Sequence, residues 1–385
     1  MRRLRSTPSA LLWIAISAVA VGALGSACDD KPEVTTQPVV VTPAEFGKAY
    51  DKLSDWHLFR DASKQDPADD VLPYQVISPL FSDYTTKFRF LYVPDGKKIG
   101  YRDDGAWDFP EGTILVKTFS YPKDVRKPFE DVRLIETRLL WREPASSCPD
   151  LASGPCWTAH TYVYSDDGKD ATSLVAGKFV HVDFTGPTGE AMSNDYHVPN
   201  TVECKECHQK SDVELPLGLK TRQLDRDSEI DGETKNQIDR LFDLGYFDQE
   251  PTAAADRPRL ADPTDAAIPV DDRVRSYFDS NCGHCHSDGG FASDSALWLD
   301  FDSTAPGPDH DKNVGLCKKP LSNGEGCGNE FDVVPGDPEK SIMVCRLAST
   351  EIDVKMPPLG SKIVHQEGLA LVEDWISSLP ADTCQ

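Results

Sequence analysis

Two pentapeptides carry the chemistry most plainly written in this chain: Cys204-Lys205-Glu206-Cys207-His208 and Cys282-Gly283-His284-Cys285-His286. Two thiols three positions apart add to the two vinyl groups of one porphyrin, and the imidazole on the next residue lies beneath the iron as its proximal ligand. The pair of matches predicts two covalently bound haem c groups, with His208 and His286 as proximal ligands. The competing reading is a zinc site built from two CxxC pairs. It fits poorly, because the pairs lie 78 residues apart, from 204 to 282, against about 15–20 in zinc ribbons.

Haem of this type is attached outside the cytoplasm, and the start of the chain agrees. Arg2, Arg3 and Arg5 form a basic n-region, and Ala10 to Leu24 is an apolar stretch too short for a comfortable membrane span. Residues 1–27 read as a signal peptide. Gly25-Ser26-Ala27 ahead of Cys28 reads as a lipobox, with Cys28 as the lipidated residue. Leu is usual where Gly25 stands, so a soluble periplasmic protein is the alternative. The expected location is the periplasmic side of a bacterial membrane.

Of 11 cysteines, four are assigned to haem and Cys28 to lipid. Cys148, Cys156, Cys317, Cys327, Cys345 and Cys384 remain, and an even remainder in an exported protein reads as disulfides. Short loops nominate Cys148–Cys156 and Cys317–Cys327, leaving Cys345–Cys384. The formal charge is −24, and removing the three Arg of residues 1–27 takes the 40 basic residues to 37 against 64 acids, a balance of −27. That balance excludes nucleic-acid binding. It is compatible with a basic redox partner in the cell envelope, since complementary fields speed association between electron carriers.

The elements that must position the two motifs fall into segments. Residues 28–42 read as a tether, and 43–200 as a β-rich domain with a short leading helix, capped by Thr42-Pro43-Ala44-Glu45 and running to about Leu53. KFRFLYVP (87–94), GTILVKTFSYP (112–122), VRLIETRLLW (132–141), CWTAHTYVY (156–164) and GKFVHVDFTG (177–186) read as strands of an antiparallel sandwich or barrel-like fold. His57, His160 and His181 are scattered through it and read as structural or surface residues. Residues 201–262 read as a helical segment carrying the first motif and a linker, with Ile238, Leu241, Phe242 and Leu244 on one face. In 263–385, Val270, Val274, Tyr277 and Phe278 share one helical face before Cys282, and Leu369, Val372, Trp375, Ile376 and Leu379 share another before Pro380. The expected architecture is therefore multidomain, an all-β N-terminal domain followed by an α-helical haem region.

Residues 264–380 resemble a class I cytochrome c domain, through the helix entering CxxCH, Val334-Pro335-Gly336-Asp337-Pro338-Glu339-Lys340-Ser341, Lys355-Met356-Pro357-Pro358-Leu359-Gly360 and the closing helix. From about 74 to 380, FSDYTTKFRFLYVPDGKKIGY, WDFPEGTILVKTFSY, IETRLLW, YHVPNTVECKECH and LPLGLKTRQL are similar to a family of exported bacterial di-haem c-type cytochromes with a β-rich N-terminal region. That resemblance implies electron transfer without naming a reaction.

Met356 is the expected distal ligand of the second haem, because a thioether favours Fe(II) and the following prolines stiffen its loop. Met343 is its rival and reads as a core residue. Between His208 and the second motif there is no Met, so a distal ligand for the first haem must come from elsewhere. Met192 and His197 are the nearest candidates, and an open sixth position is the alternative. The function expected is electron transfer between an envelope oxidoreductase and the respiratory chain. A di-haem peroxidase-type enzyme with an open first haem, and a β-domain binding or assembly protein with a haem relay, are the alternatives.

Overall fold

Along Thr86–Tyr92 the apolar Phe88, Phe90 and Tyr92 alternate with Lys87, Arg89 and Leu91, a pattern that gives a strand two unlike faces. The computed structural model describes residues 37–384 except 152, 212, 231 and 322–325. The signal peptide, Cys28 and most of the tether lie outside the described residues. Pro38–Gln385 forms a single unit.

A small hairpin of β1 (Phe59–Asp61) and β2 (Asp66–Pro67) precedes a six-stranded antiparallel sheet. The sheet runs in chain order through β3 (Val71–Pro73), β4 (Thr86–Tyr92), β5 (Ile114–Pro122), β6 (Val132–Glu143), β7 (Cys156–Tyr164) and β8 (Ala171–Ser173). A separate hairpin, β9 (Lys178–Thr185) with β10 (Ala191–Val198), follows. One face of the sheet buries Phe90, Tyr92, Val116, Leu139, Trp141, Tyr162 and Tyr164 against Leu53, Trp56 and Leu58. Trp56 Nε1 donates to Tyr162 OH at 2.8 Å, so the indole is buried with its polar atom satisfied.

The other face is divided. At one end Leu91, Leu115, Leu140 and Trp157 pack on Leu219, Leu224 and Ile238. At the other, Phe119 and Tyr121 pack on Val182, Phe184 and Tyr196 of the β9–β10 hairpin. Between them strand register sets Arg89 opposite Lys117, Lys117 opposite Arg138 and Arg138 opposite Thr161.

The sequence expectation of an α-helical cytochrome c region is corrected by the structure. The described residues are mostly β-rich, with 21% helix. α1 (Thr201–His208) is followed by the hairpin β11 (Gln209–Lys210) and β12 (Val213–Glu214), the four-residue α2 (Thr221–Leu224), the hairpin β13 (Asp227–Ile230) and β14 (Glu233–Asn236), and α3 (Gln237–Asp243). Two hairpins thus stand in a segment expected to be helical. In α3, Ile238 and Leu241 are buried, but Phe242 and Leu244 are exposed. α4 (Val270–Asn281) and α7 (Gln366–Ser378) are the two longer helices. α5 (His310–Val314) and α6 (Ile342–Ala348) are short, and turns rich in Gly, Asp, Ser and Pro occupy much of the rest of the described residues of 282–341. α4 and α7 pack through Val274, Tyr277, Phe278, Val372, Trp375 and Ile376, with Phe278 and Trp375 edge to face at 5.5 Å.

Two further expectations fail for local reasons. No helix forms over 42–52; Thr42 N donates to Trp56 O and Gly47 N to Glu143 Oε2, so distant partners take its backbone donors. Cys148–Cys156 forms, but Cys317 pairs with Cys384 and Cys327 with Cys345, instead of 317–327 and 345–384. Loop length alone misled here. Cys317 N donates to Val333 O and Asp382 N to Pro335 O, which lays the C-terminal tail beside Cys317. Ile342 N donates to Phe331 O, which carries Cys345 towards Cys327.

Candidate functional site

α1 starts because Asn200 caps it. Asn200 Oδ1 accepts from Val202 N and Glu203 N, while Glu203 Oε2 accepts from Asn200 N at 2.7 Å, a complete capping box. On the helix so fixed, Cys204 and Cys207 lie three apart and His208 four after Cys204, hence on one side. The β11–β12 hairpin then folds the chain back so that Leu215 meets His208 twice. Leu215 N donates to His208 O at 2.7 Å, and His208 Nδ1 donates to Leu215 O at 2.9 Å. Because the carbonyl only accepts, the proton sits on Nδ1 and the Nε2 lone pair is left for a metal. Burial pushes the His208 imidazole down to about 4, so it is neutral at pH 7.

The second motif is made at the end of α4. Cys282 N and Gly283 N both donate to Phe278 O at 2.8 Å, and His286 N donates to Cys282 O at 2.9 Å. Gly283 is needed because a Cβ there would lie 2.8 Å from Asp300 Cα. His286 Nδ1 lies 3.1 Å from Ser295 Oγ, whose own proton is given to Ala292 O at 2.7 Å. The hydroxyl oxygen therefore accepts from Nδ1, and Nε2 is again the free nitrogen. Burial pushes His286 down to about 4.

The fold brings the two motifs side by side. Cys285 Sγ donates to Glu206 O at 3.2 Å, Ser211 N to Gly289 O at 2.9 Å and Lys210 Nζ to Ser287 Oγ at 3.3 Å. Ligand atoms of Cys207, His284 and Cys285 all lie within 4.8 Å of one another. The Cys207 thiol is pulled below its ordinary range by its hydrogen bond with Cys285 and by His284, while Cys285 moves up as the partner that keeps the shared proton. Burial raises Cys204, and it raises Cys282 to about 12.

Beside the first motif lies a cavity of about 330 Å³, within the range of cofactor and small-molecule sites. Cys204, Cys207 and His208 line one part of it, and Arg89, Leu115, Lys117, Phe119, Arg138 and Leu140 of the sheet another. His284 of the second motif and Ser287, just after it, reach it too. His160 borders it only through the sheet: it has the strand parity of Thr158 and Tyr162, its Nε2 is 3.1 Å from Thr158 Oγ1, and its ring is 6.2 Å from the Trp141 ring on the opposite face.

Like charges directly opposite one another destabilise a sheet, yet Arg89, Lys117 and Arg138 stand in a row. Arg138 is answered by the fully buried Glu136, at 2.5 Å. Arg89 Nη1 reaches only the Lys87 carbonyl, at 3.2 Å, and Lys87 Nζ the Thr85 carbonyl, at 2.9 Å. Burial pushes Lys87 and Lys117 well below the ordinary ammonium range. The wall is an apolar patch ringed by cations, suited to a flat apolar group bearing carboxylates.

Of the other candidates, Met356 shares a small cavity with Phe81, Tyr277, Asn281, Leu347 and His365, and His286 is not among the residues lining it. Met343 packs on the α4–α7 core. Met192 packs on the β9–β10 cluster. His197 stacks on Phe179 at 4.7 Å, with its Nε2 3.4 Å from Glu203 Oε2. Neither Met192 nor His197 lines the cavity beside the first motif. Sequence reasoning missed the cationic row, His284 as a neighbour of Cys207, and His365, stacked on Phe81 at 4.1 Å beside Met356. The alternation of Lys and Arg along β4–β6 was the available signal.

Among the described residues no helix is long and apolar enough to cross a membrane. No protein-family model, no curated protein and no solved structure matches this chain.

Proposed function

We propose that this chain binds two haem c groups and passes electrons in the bacterial cell envelope, between an envelope oxidoreductase and the respiratory chain. The observation that carries the reading is the pair of CxxCH motifs, each with its histidine Nδ1 engaged and Nε2 free, meeting at Cys207 and Cys285. Cys204 and Cys207 would hold the first haem, with His208 as its proximal ligand; Cys282, Cys285 and His286 would hold the second, with Met356 as its distal ligand. Haem supplies reversible one-electron iron chemistry when bound. The chain's own residues do the rest. Leu215 and Ser295 orient the two imidazoles, and the sheet face between its two apolar clusters shields the first site from water. The contact between the motifs supports direct transfer between the two groups.

A pyridine haemochrome assay on denatured holoprotein should find two c-type haems per chain. One specific observation favours a second reading: Cys207, His284 and Cys285 are three ligands at zinc-binding range. Zinc found by elemental analysis of a protein that gives no haemochrome would establish it and overturn the electron-transfer function. The location rests on sequence alone, with a lipid on Cys28 as the anchor. Cys28→Ala should move the protein from the membrane to the soluble periplasmic fraction, and a variant that stays membrane-bound rules that anchor out.

A further inference from the structure

The sheet face opposite the first motif poses a question that haem attachment alone leaves open. Four cations, Lys87, Arg89, Lys117 and Arg138, point from β4, β5 and β6 to the same side. Three have partners. Arg138 is paired with Glu136, Arg89 donates to the Lys87 carbonyl, and Lys87 to the Thr85 carbonyl. Lys117 has neither a hydrogen bond nor an acidic partner among the described residues, and its Nζ lies 4.9 Å from the centre of the Phe119 ring. Its nitrogen is thus the one basic group of the row aimed into the cavity with nothing to bind.

An ammonium held there, half-buried between two guanidinium groups, is unfavourable unless something answers it. An amine that has given its proton to solvent is not. It presents a lone pair, and a lone pair facing a cavity bounded by a free histidine nitrogen on its other side is a metal ligand. α1 packs over β7, Lys117 stands two strands away on β5, and Lys117 and His208 both line the cavity between them.

The other donors are placed less well. Met192 and His197 belong to the β9–β10 hairpin and do not line the cavity. His284 lines it, but its ring nitrogen is within 4.8 Å of the sulfurs of both Cys207 and Cys285. Those sulfurs would be bonded to two different porphyrins, which puts His284 between their edges and not over one iron.

We infer that the Lys117 amine is the sixth ligand of the iron attached at the first motif, opposite His208. The inference rests on the two-haem reading above. The amine loses its proton to solvent, its nitrogen lone pair forms the bond to iron, and no electron is transferred in the step. The first centre is then closed by a ligand from the β-sheet and the second by Met356 from the C-terminal segment.

The test uses the intact holoprotein and three variants: Lys117→Ala, Lys117→Arg and His284→Ala. Each is first assayed by pyridine haemochrome, which must return two haems per chain. A shortfall in the wild type counts against the two-haem reading and not against the ligand assignment. Electronic and EPR spectra are then recorded, with carbon monoxide added to the reduced form. In the wild type both haems should be low-spin and should bind little carbon monoxide. Lys117→Ala and Lys117→Arg should each turn one haem high-spin and open it to stoichiometric carbon monoxide, while the other keeps its spectrum. Arginine keeps the charge but cannot ligate. A Lys117→Arg variant with the wild-type spectrum would therefore reduce Lys117 to a charge on the cavity wall and overturn the assignment. So would a high-spin haem produced by His284→Ala and not by either Lys117 variant.

Discussion

The two motifs share a pentapeptide pattern and little else. The first rides on α1, a helix with no buried residue, and is backed by a β-sheet face carrying four cations and one buried acid. The second ends α4, whose Val274, Tyr277 and Phe278 are locked into the apolar core with α7. Disulfides at Cys317–Cys384 and Cys327–Cys345 staple the turns that follow it. One site is built from charge and long-range register, the other from local hydrophobic packing. The same pentapeptide thus stands in two environments that differ in polarity and in how the site depends on the rest of the fold.

The difference predicts where each region breaks. The largest effect should come from the charged wall. Glu136 is fully buried, held by Arg138 at 2.5 Å and by the Tyr196 hydroxyl at 2.7 Å. Removing one partner of a buried ion pair costs about 3–5 kcal/mol, because the other charge is left uncompensated. Arg138→Met should therefore lower the unfolding free energy by about that much in chemical denaturation. Arg138→Met combined with Glu136→Leu should recover most of it, since two apolar groups of similar size replace the pair. A double variant as unstable as the single one would show that the wall is not held by this pair.

A smaller, pH-dependent effect belongs to the second region. His365 is packed on Phe81 and Tyr277, and burial pushes it down to about 4 from 6.5. Below 6.5 the unfolded chain takes up a proton on this residue that the folded chain refuses until about 4. Its contribution to stability is thus full above pH 6.5 and is lost as pH falls through the window to 4. The slope for one such group is at most about 1.4 kcal/mol per pH unit. His208 and His286 shift in the same direction, so the measurement is a difference. Denaturation curves of wild type and His365→Gln between pH 7 and 4 should diverge at the high end and converge toward the low one. Parallel curves would mean that His365 is protonated as readily in the folded state.

How much of this was legible in the sequence follows the same division. The strands over 87–94, 112–122, 132–141, 156–164 and 177–186 were readable from alternation, and the faces of α4 and α7 from helical spacing. Both are local patterns. The chemical role of the alternation was not. Nothing singled out Lys87, Arg89, Lys117 and Arg138, because sequence shows polar residues every second position but not what covers them. Their alignment depends on pairing across β4, β5 and β6, with a register shift at Phe119/Ser120. The two C-terminal disulfide pairings failed likewise, since Cys317 meets Cys384 where the tail hydrogen-bonds to Pro335, while the short-loop pair Cys148–Cys156 was read correctly. The hairpins β11–β12 and β13–β14 were missed because strands of two and four residues leave no periodic signature. Yet the first of them is what returns Leu215 to His208.

The smallest expected effect tests whether the first motif is held locally at all. No residue of α1 is fully buried, so hydrophobic packing contributes little to it, and eight residues are too few for a helix to persist on propensity alone. What remains is the cap: Asn200 Oδ1 on two backbone donors, and Glu203 returning the bond to Asn200 N. Asn200→Ala should cost about 1 kcal/mol. Because the other bonds to α1, from Leu215 and Cys285, fall at its C-terminal end, the loss should appear as faster amide exchange at Glu203 and Cys204, with the amides of α4 unchanged. At Pro269, which precedes α4 without any side-chain cap, substitution to Ala should leave exchange in α4 unaltered, since that helix is held by its apolar face. If Asn200→Ala leaves α1 as protected as before, the β11–β12 hairpin and the sheet hold the first motif without its cap. The contrast between a charge-built and a packing-built site would then be one of chemistry and not of stability.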